Sequence, residues 1–402
     1  MLGYARQLDV QAGMSLISDS RKCPQIPTQV IVKSALSMFL ARLGSLNALE
    51  QLKKSPNLRS FLEGELPSAD TIGRVFALID PNTIRQANRE IYKHLKRNKS
   101  LELLGHGLVA LNIDGHESHA TYMQHCDGCL KRTMNRGTKS ERVQYYHRHV
   151  TAQLVFRNFS LLLDIEPQQP GDSETAAAER LLGRVLKDYL RAFDVVVVDA
   201  LYCGAPFINY VIDSGKHIVV VAKDERHDLV KEAEAFLKDK PPDVTTRDGK
   251  IEHMCWDMEG FAPWSNVKKS LRIVKSLKIK TVRRQLDGKI EQETSSWMWA
   301  TTLPKITART ETVVQLGHGR WKIENNGFRE MVHHWFSDHL YKHHPVAIIN
   351  FWLLCMMAYN IFRCFYLRNL KPTLRNAHTM LHIAACVKAE LYPNMPLAVQ
   401  PP

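Results

Sequence analysis

Hydrophobic positions change period near residue 105 of the chain. Before it, apolar residues recur at helical spacing. Val30–Leu46 forms one such run, and Thr71–Ile79 forms another, introduced by Pro67-Ser68-Ala69-Asp70 as an N-terminal cap. Arg85–Lys99 is a basic amphipathic stretch carrying Arg85, Arg89, Lys93, Lys96, Arg97 and Lys99, a pattern shared by solvated helix faces and surfaces for polyanions. From Leu108 the pattern becomes strand-like: Leu108–Ile113 closing on Asp114, then Gln144–Phe156, then Leu161–Ile165, which predicts an antiparallel meander. An amphipathic helix at Ser173–Phe193 leads into Asp194-Val195-Val196-Val197-Val198, closing on Asp199. A helix at Pro206–Ser214, stopped by Gly215, and a strand at His217–Ala222 follow.

Strands, helix, strand, helix, strand is the element order of an RNase H-like core. The fold class read from the pattern is therefore α/β: an RNase H-like mixed-sheet core with a helical N-terminal domain and a β-rich insertion. The insertion runs from Lys223 to Leu303, with short strands at Leu271–Ile273, Ile279–Arg283 and Trp297–Thr302 and charged turns such as Asp287-Gly288. Four units result: residues 1–104, helical and DNA-binding; 105–222, the first part of the core; 223–303, the insertion; and 304–402, a helical second part of the core ending in a Pro-flanked tail. Pro345–Phe362 carries no charge and approaches the length of a short membrane span. Asn350 and Asn360 interrupt it and no second such segment exists, so a buried core helix and no membrane contact are expected.

Composition sharpens this picture in two ways. A chain of 402 residues with 45% hydrophobic content can bury a large core, and a formal charge of +13 favours a polyanionic partner, nucleic acid first, because Lys and Arg release counterions from a phosphate backbone. Eight cysteines at irregular spacings, with no N-terminal run like a secretory leader, predict a reducing compartment: cytoplasmic and, with DNA as partner, nucleoid-associated.

Asp114, Asp199 and Glu324 are the candidate catalytic residues. A carboxylate at the C-terminal end of a buried strand emerges at the sheet rim, where open sheets place ligands; inside an all-valine run it would be an unpaired buried charge. Each aspartate alone is also compatible with simple punctuation of a strand end. Together they suit phosphoryl transfer, in which two divalent ions about 3.5–4 Å apart hold the attacking and leaving oxygens and require hard oxygen ligands. The expected cofactor is Mg²⁺, two ions, with Mn²⁺ able to substitute. Arg320 lies four residues before Glu324 on the same helix face, placed either to hold a phosphate oxygen or to pair with the glutamate. Cys126-Asp127-Gly128-Cys129, with His116, His119, His125, His147 and His149 nearby, is compatible with Zn²⁺ although its spacing matches no standard finger. A second group, His333, His334, His339, His343 and His344, reads as a solvated or DNA-facing basic helix rather than a metal site.

With these residues in place, the chain resembles the DDE transposases of the IS-four type, bacterial insertion-sequence enzymes with a β-rich insertion in an RNase H-like core. Pro67-Ser68-Ala69-Asp70-Thr71, Asn112-Ile113-Asp114-Gly115 with Cys126-x-x-Cys129 and Tyr145-Tyr146-His147, Val198-Asp199-Ala200-Leu201-Tyr202, and Arg320-Trp321-Lys322-Ile323-Glu324-Asn325 carry the resemblance. It implies binding to terminal inverted repeats, Mg²⁺-dependent nicking, attack of the freed 3′-hydroxyl on target DNA, and a homodimer on paired ends, with Asp114, Asp199 and Glu324 as the triad. The family's Tyr-x-x-Arg-x-x-x-Glu-x-x-x-x-x-x-Lys pattern is kept only at Arg320 and Glu324, because Gly317 and Met331 stand at the Tyr and Lys positions. Lys322, Arg329 and His333 are the groups expected to contact DNA in their place. Two alternatives stay open at this point: an inactive transposase-derived DNA-binding protein, and an RNase H-like nuclease that does not join strands.

Overall fold

Val195–Val198 is fully buried, and its alternating side chains divide the interior in two. Val195 and Val197 pack with Ala110, Val219, Val221, Trp299, Val313 and Leu316 on one face of a sheet. Val196 and Val198 pack with Leu111, Ile113, Ile218, Val220 and the helices on the other. The structure is a computed structural model that describes residue 4 and residues 10–223, 228–262, 264–283 and 290–392. The Asp287-Gly288 turn and the C-terminal Pro-flanked tail lie outside the described residues.

Among the described residues ten strands form a single mixed sheet: β1 Ala110–Thr121, β2 Leu130–Met134, β3 Arg142–Val155, β4 Ser160–Pro167, β5 Val195–Val198, β6 His217–Val221, β7 Val244–Asp248, β8 Ile251–Phe261, β9 Leu271–Arg283 and β10 Ile290–Thr301. β1 pairs antiparallel with β3 and parallel with β5, and β5 runs parallel with β6. β4 and β2 share the outer edge of β3. The resulting order β4-β3-β1-β5-β6 is consistent with an RNase H-like core. The residues of the insertion do not fold apart from this sheet, because β10 joins β6 antiparallel and β9, β8 and β7 extend the same edge.

Several elements depart from the sequence reading, each for a non-local reason. β1 does not close on Asp114 but runs on to Thr121, because β3 offers it backbone partners as far as Tyr145. Leu271–Ile273 and Ile279–Arg283 are one strand, held along its length by β8 and β10. β7, β8 and the helix Asp228–Leu237 carry no period strong enough to be read in advance. Val30–Leu46 is two helices: Thr28–Leu40 ends at a turn in which Arg42 and Gly44 have positive φ, and Ser45 caps Leu46–Glu50. Ser68 does cap the helix Ala69–Phe76, by accepting from Thr71 N–H.

The basic helix Pro81–Arg97 does not present all its cations to solvent. Arg85 bonds Asp164 of β4 at 2.7 Å and Arg89 bonds Asp188 at 2.9 Å, so one edge of the helix docks on the core while Lys93 and Lys96 stay exposed. Beneath it runs the helix Pro345–Cys364, the longest apolar helix described, with 83% of its most apolar window buried inside the protein. Its two asparagines tie it down: Asn350 donates to the Phe76 and Ile79 carbonyls, while Asn360 donates to the Leu162 carbonyl and accepts from Leu162 N–H. Asn360 is thus bonded through both its nitrogen and its oxygen, and Asn350 through its nitrogen, which lets both amides sit in an apolar interior. The N-terminal helices, this helix and one face of the sheet share a continuous core.

The connection from the extended sheet back to the helices is fixed by a buried ion pair. Arg272 of β9 pairs with both oxygens of Asp257 of β8 at 2.8 and 2.6 Å and donates to the Leu303 and Ala308 carbonyls, while Thr310 Oγ1 donates to Asp257. Both charged side chains are only 2% exposed. Arg272→Ala leaves the Asp257 charge without its partner and is expected to cost about 3–5 kcal/mol. Thermal melts check this, and an unchanged midpoint would contradict it.

Candidate active site

The parallel register of β1 and β5 places two aspartates side by side. Asn112 lies opposite Val197. Continued two residues, the same register sets Asp114 beside Asp199, on adjacent strands about 4.8 Å apart. Residues 110, 112 and 114 share a face of β1 by strand alternation, and 195, 197 and 199 share the corresponding face of β5. This is the face covered by the helix Thr310–Gly319, whose Val313, Val314 and Leu316 pack on it.

Glu324 reaches that face from the continuation of the same helix. After Gly319 the chain passes through Trp321–Ile323 into a π-helical turn at Glu324–Phe328, then returns to α geometry at Arg329–Trp335. A π turn inserts an extra residue and re-aims the side chains around it, which is why such turns gather at functional sites. Arg320 joins the two halves of the site: its guanidinium pairs with Asp114 at 2.7 Å and with Glu324 at 2.9 Å. The side chain is buried, so it acts here as an internal clamp between two carboxylates rather than as an exposed phosphate hook. Asn112 fixes the helix from below, donating to the Gly319 carbonyl at 2.9 Å. Asp199 caps the short helical turn Ala200–Tyr202 by accepting from Leu201 N–H at 2.9 Å through one carboxylate oxygen.

Burial pushes the Asp114 carboxyl up to about 7; Arg320 works against that shift, and the nearby charges of Asp199, Glu324 and Glu174 add to it. One guanidinium therefore does not balance the acids around it. Hard oxygen donors in excess of local cations are the donor set that Mg²⁺ requires, so the residues present fit a divalent metal.

Glu174 was not singled out by sequence pattern as a member of this site. It opens the helix Glu174–Tyr189 after its cap Ser173 and approaches β1 from the opposite face. A Cβ on Gly115 would meet the Glu174 carboxyl at 2.5–2.6 Å, so the glycine next to Asp114 is what lets this acid come close. Tyr202 donates to Glu174 at 2.9 Å, Arg148 pairs with it at 3.3 Å, and burial pushes its pKa above the usual carboxylate range. The one sequence signal was the position of Tyr202, three residues past Asp199.

Residues 112–361 match the family described as Transposase DDE domain, a stretch that runs from β1 through the helix Pro345–Cys364 and includes Asp114, Asp199 and Glu324. The chain belongs to the DDE transposase family. No curated protein matches it.

The transposase departs from the expected helix pattern at positions whose surroundings explain the change. Gly317 lies against the Trp299 indole, which occupies the space any side chain there would need. Met331 is buried in the core, where a lysine would be a desolvated charge. The three groups expected to replace them are not together: Lys322 lines a cleft of about 430 Å³ with Asn112, His106 and Gly319, whereas Arg329 and His333 line another of about 750 Å³ with Asn325 and Met380. The second histidine group is not one helix either, since the helix ends at Trp335, Phe336 turns left-handed and His339, His343 and His344 follow in a loop. Of the first group, His125, Cys129 and His147 converge, and Cys126 lies against Cys129 and His147. His149 bonds Ser118, and His116 and His119 turn to Asp338.

The Asp114 shift gives a signed pH dependence. With its folded value raised to about 7, the stability associated with protonated Asp114 is full at low pH, below the ordinary value near 3.8, and is lost as pH rises through about 7. In EDTA, Asp114→Asn is therefore expected to gain stability relative to the native chain between pH 5 and pH 8, by a few kcal/mol at the upper end. Melting temperatures across that range measure the gain; parallel profiles for the two proteins would overturn the assignment.

Proposed function

We propose that this DDE transposase binds the terminal inverted repeats of an element of the IS-four type, nicks DNA, and joins the freed 3′-hydroxyl to target DNA with Mg²⁺ as cofactor. The observation that carries the reading is the single cluster of Asp114, Asp199 and Glu324 around Arg320, with too little positive charge to balance it. Asp114 and Asp199, on neighbouring strands, are the fixed ligands, and Glu324 completes the set from the helix. Bound Mg²⁺, two ions with Mn²⁺ as substitute, supplies Lewis-acid polarisation of the scissile phosphate and a more acidic attacking hydroxyl or water. Arg320 holds Asp114 and Glu324 in register, Asn112 and the π turn set where Glu324 points, and the closely packed strands keep both aspartates from moving apart.

The DNA surface rests on the cations left facing outward. Lys93 and Lys96 belong to the N-terminal unit, residues 1–104, for which we propose end recognition. Arg329 and His333 are exposed in the cleft next to Asn325, the residue after Glu324, and are the cations proposed to meet a DNA strand there. Two ends must meet for joining, which argues for a homodimer on DNA, acting in the cytoplasm on the nucleoid. The presence of all three acids in one cluster favours this over a transposase-derived protein that only binds DNA.

A gel assay with the element's own inverted-repeat DNA decides between the readings. In Mg²⁺ the native protein should give nicked and joined products, and Asp114→Asn, Asp199→Asn and Glu324→Gln should each lower cleavage on the order of a thousandfold or more while still retarding the DNA. Nicks without joined products would favour the nuclease. A retarded complex without cleavage by the native protein would favour the DNA-binding reading.

A further inference from the structure

We propose a structural Zn²⁺ site, separate from the carboxylate cluster, formed by Cys126, Cys129, His147 and His125. Cys126 and Cys129 lie in the connection between β1 and β2, and His147 is on β3 opposite Ser118. Cys126 Sγ is 3.9 Å from Cys129 Sγ, and His147 Nε2 is 3.3 Å from the first sulfur and 3.6 Å from the second. A tetrahedron with Zn–S near 2.3 Å and Zn–N near 2.05 Å requires about 3.8 Å between sulfurs and about 3.6 Å between sulfur and nitrogen. Cys126, Cys129 and His147 already stand at ligand-to-ligand spacing.

Two further features point to an ion rather than to hydrogen bonding among the groups. His125, Cys129 and His147 offer ligand atoms within 4.8 Å of one another, and His125 Nε2 is buried with no hydrogen-bond partner. A buried imidazole nitrogen without a hydrogen bond, on a residue beside the Cys129 thiol, is suited to a ligand role. Sulfur and imidazole donors select Zn²⁺ over Mg²⁺, and four protein ligands leave no open position, so the role is structural.

The ion would fasten a loop that little else holds. Cys129 and His147 are buried, and Gly128 approaches so near to Pro345 that a Cβ would sit 3.2 Å from the proline ring. Pro345 opens the long buried helix. Zinc thus pins the β1–β2 connection to β3 and to the start of that helix. From the pinned connection springs the β2–β3 hairpin with exposed Arg136, Lys139 and Arg142. Ser118 is four residues along β1 from Asp114, about 13 Å. The staple is therefore outside direct reach of the catalytic carboxylates.

Metal content tests this without reference to activity. The full chain, expressed in zinc-supplemented medium and dialysed, should carry about one zinc per chain by mass spectrometry, as should Cys23→Ser, a change at an exposed cysteine elsewhere. The double variant Cys126→Ser, Cys129→Ser should lose the ion, whereas His147→Cys, which exchanges one ligand type for another, should keep it. Cobalt in place of zinc should give the intense visible bands of a tetrahedral site and a thiolate charge-transfer band, both absent from the double variant. A native chain without zinc, or a double variant that retains it, would overturn the proposal.

Discussion

Arg320 ties together two distant parts of the chain that carry the acids of the site. Its guanidinium joins Asp114, on the first strand, to Glu324, on a helix that follows the whole β-rich insertion. Buried charge is stable only when paired, and here one cation serves two acids while Asp199 and Glu174 add further negative charge. That imbalance is a cost to the fold without metal and, on the proposed function, would be the source of affinity for a divalent cation. The surrounding structure can be understood as the framework needed to hold such a cluster in place.

The framework has two sides. Below the site, parallel pairing of β1, β5 and β6 fixes the aspartates, and the helix Pro345–Cys364 anchors the N-terminal helices and β4 to one core. Above it, the extended sheet leads back to the Glu324 helix through Arg272, Asp257 and Thr310. β10 also brings Trp299 against Gly317, so the sheet extension and the helix are packed together one turn before Arg320. The insertion is thus part of the support for the third carboxylate, which gives a physical reason for its continuity with the core sheet.

Legibility from sequence followed locality. Val195–Val198 ending on Asp199, the Arg320–Glu324 spacing and the Ser68 cap are local patterns, and each could be read from a few neighbouring residues. The length of β1 was not legible because it depends on β3, and the merging of two predicted strands into β9 depends on β8 and β10. Arg85 and Arg89 looked like surface cations because their partners, Asp164 and Asp188, lie far along the chain. Glu174 was hidden for the same reason: its nearness to Asp114 rests on the absence of a side chain at Gly115. The histidines near Cys126 could be listed from sequence, but only the sheet register separates His147, which faces the thiols, from His149, which bonds Ser118.

The two proposed metal centres would divide the labour by ligand chemistry. Oxygen ligands with unbalanced charge suit an exchangeable hard cation at the reacting phosphate, and sulfur with imidazole suits a permanent one in the scaffold. The central claim is that the carboxylate cluster is a divalent-cation site whose affinity comes from its own charge imbalance. Manganese binding followed by electron paramagnetic resonance at pH 7.5 tests it most directly. The account predicts saturable binding by the native chain that Asp114→Asn and Asp199→Asn each weaken by about tenfold or more. Equal Mn²⁺ affinity in all three proteins would contradict it.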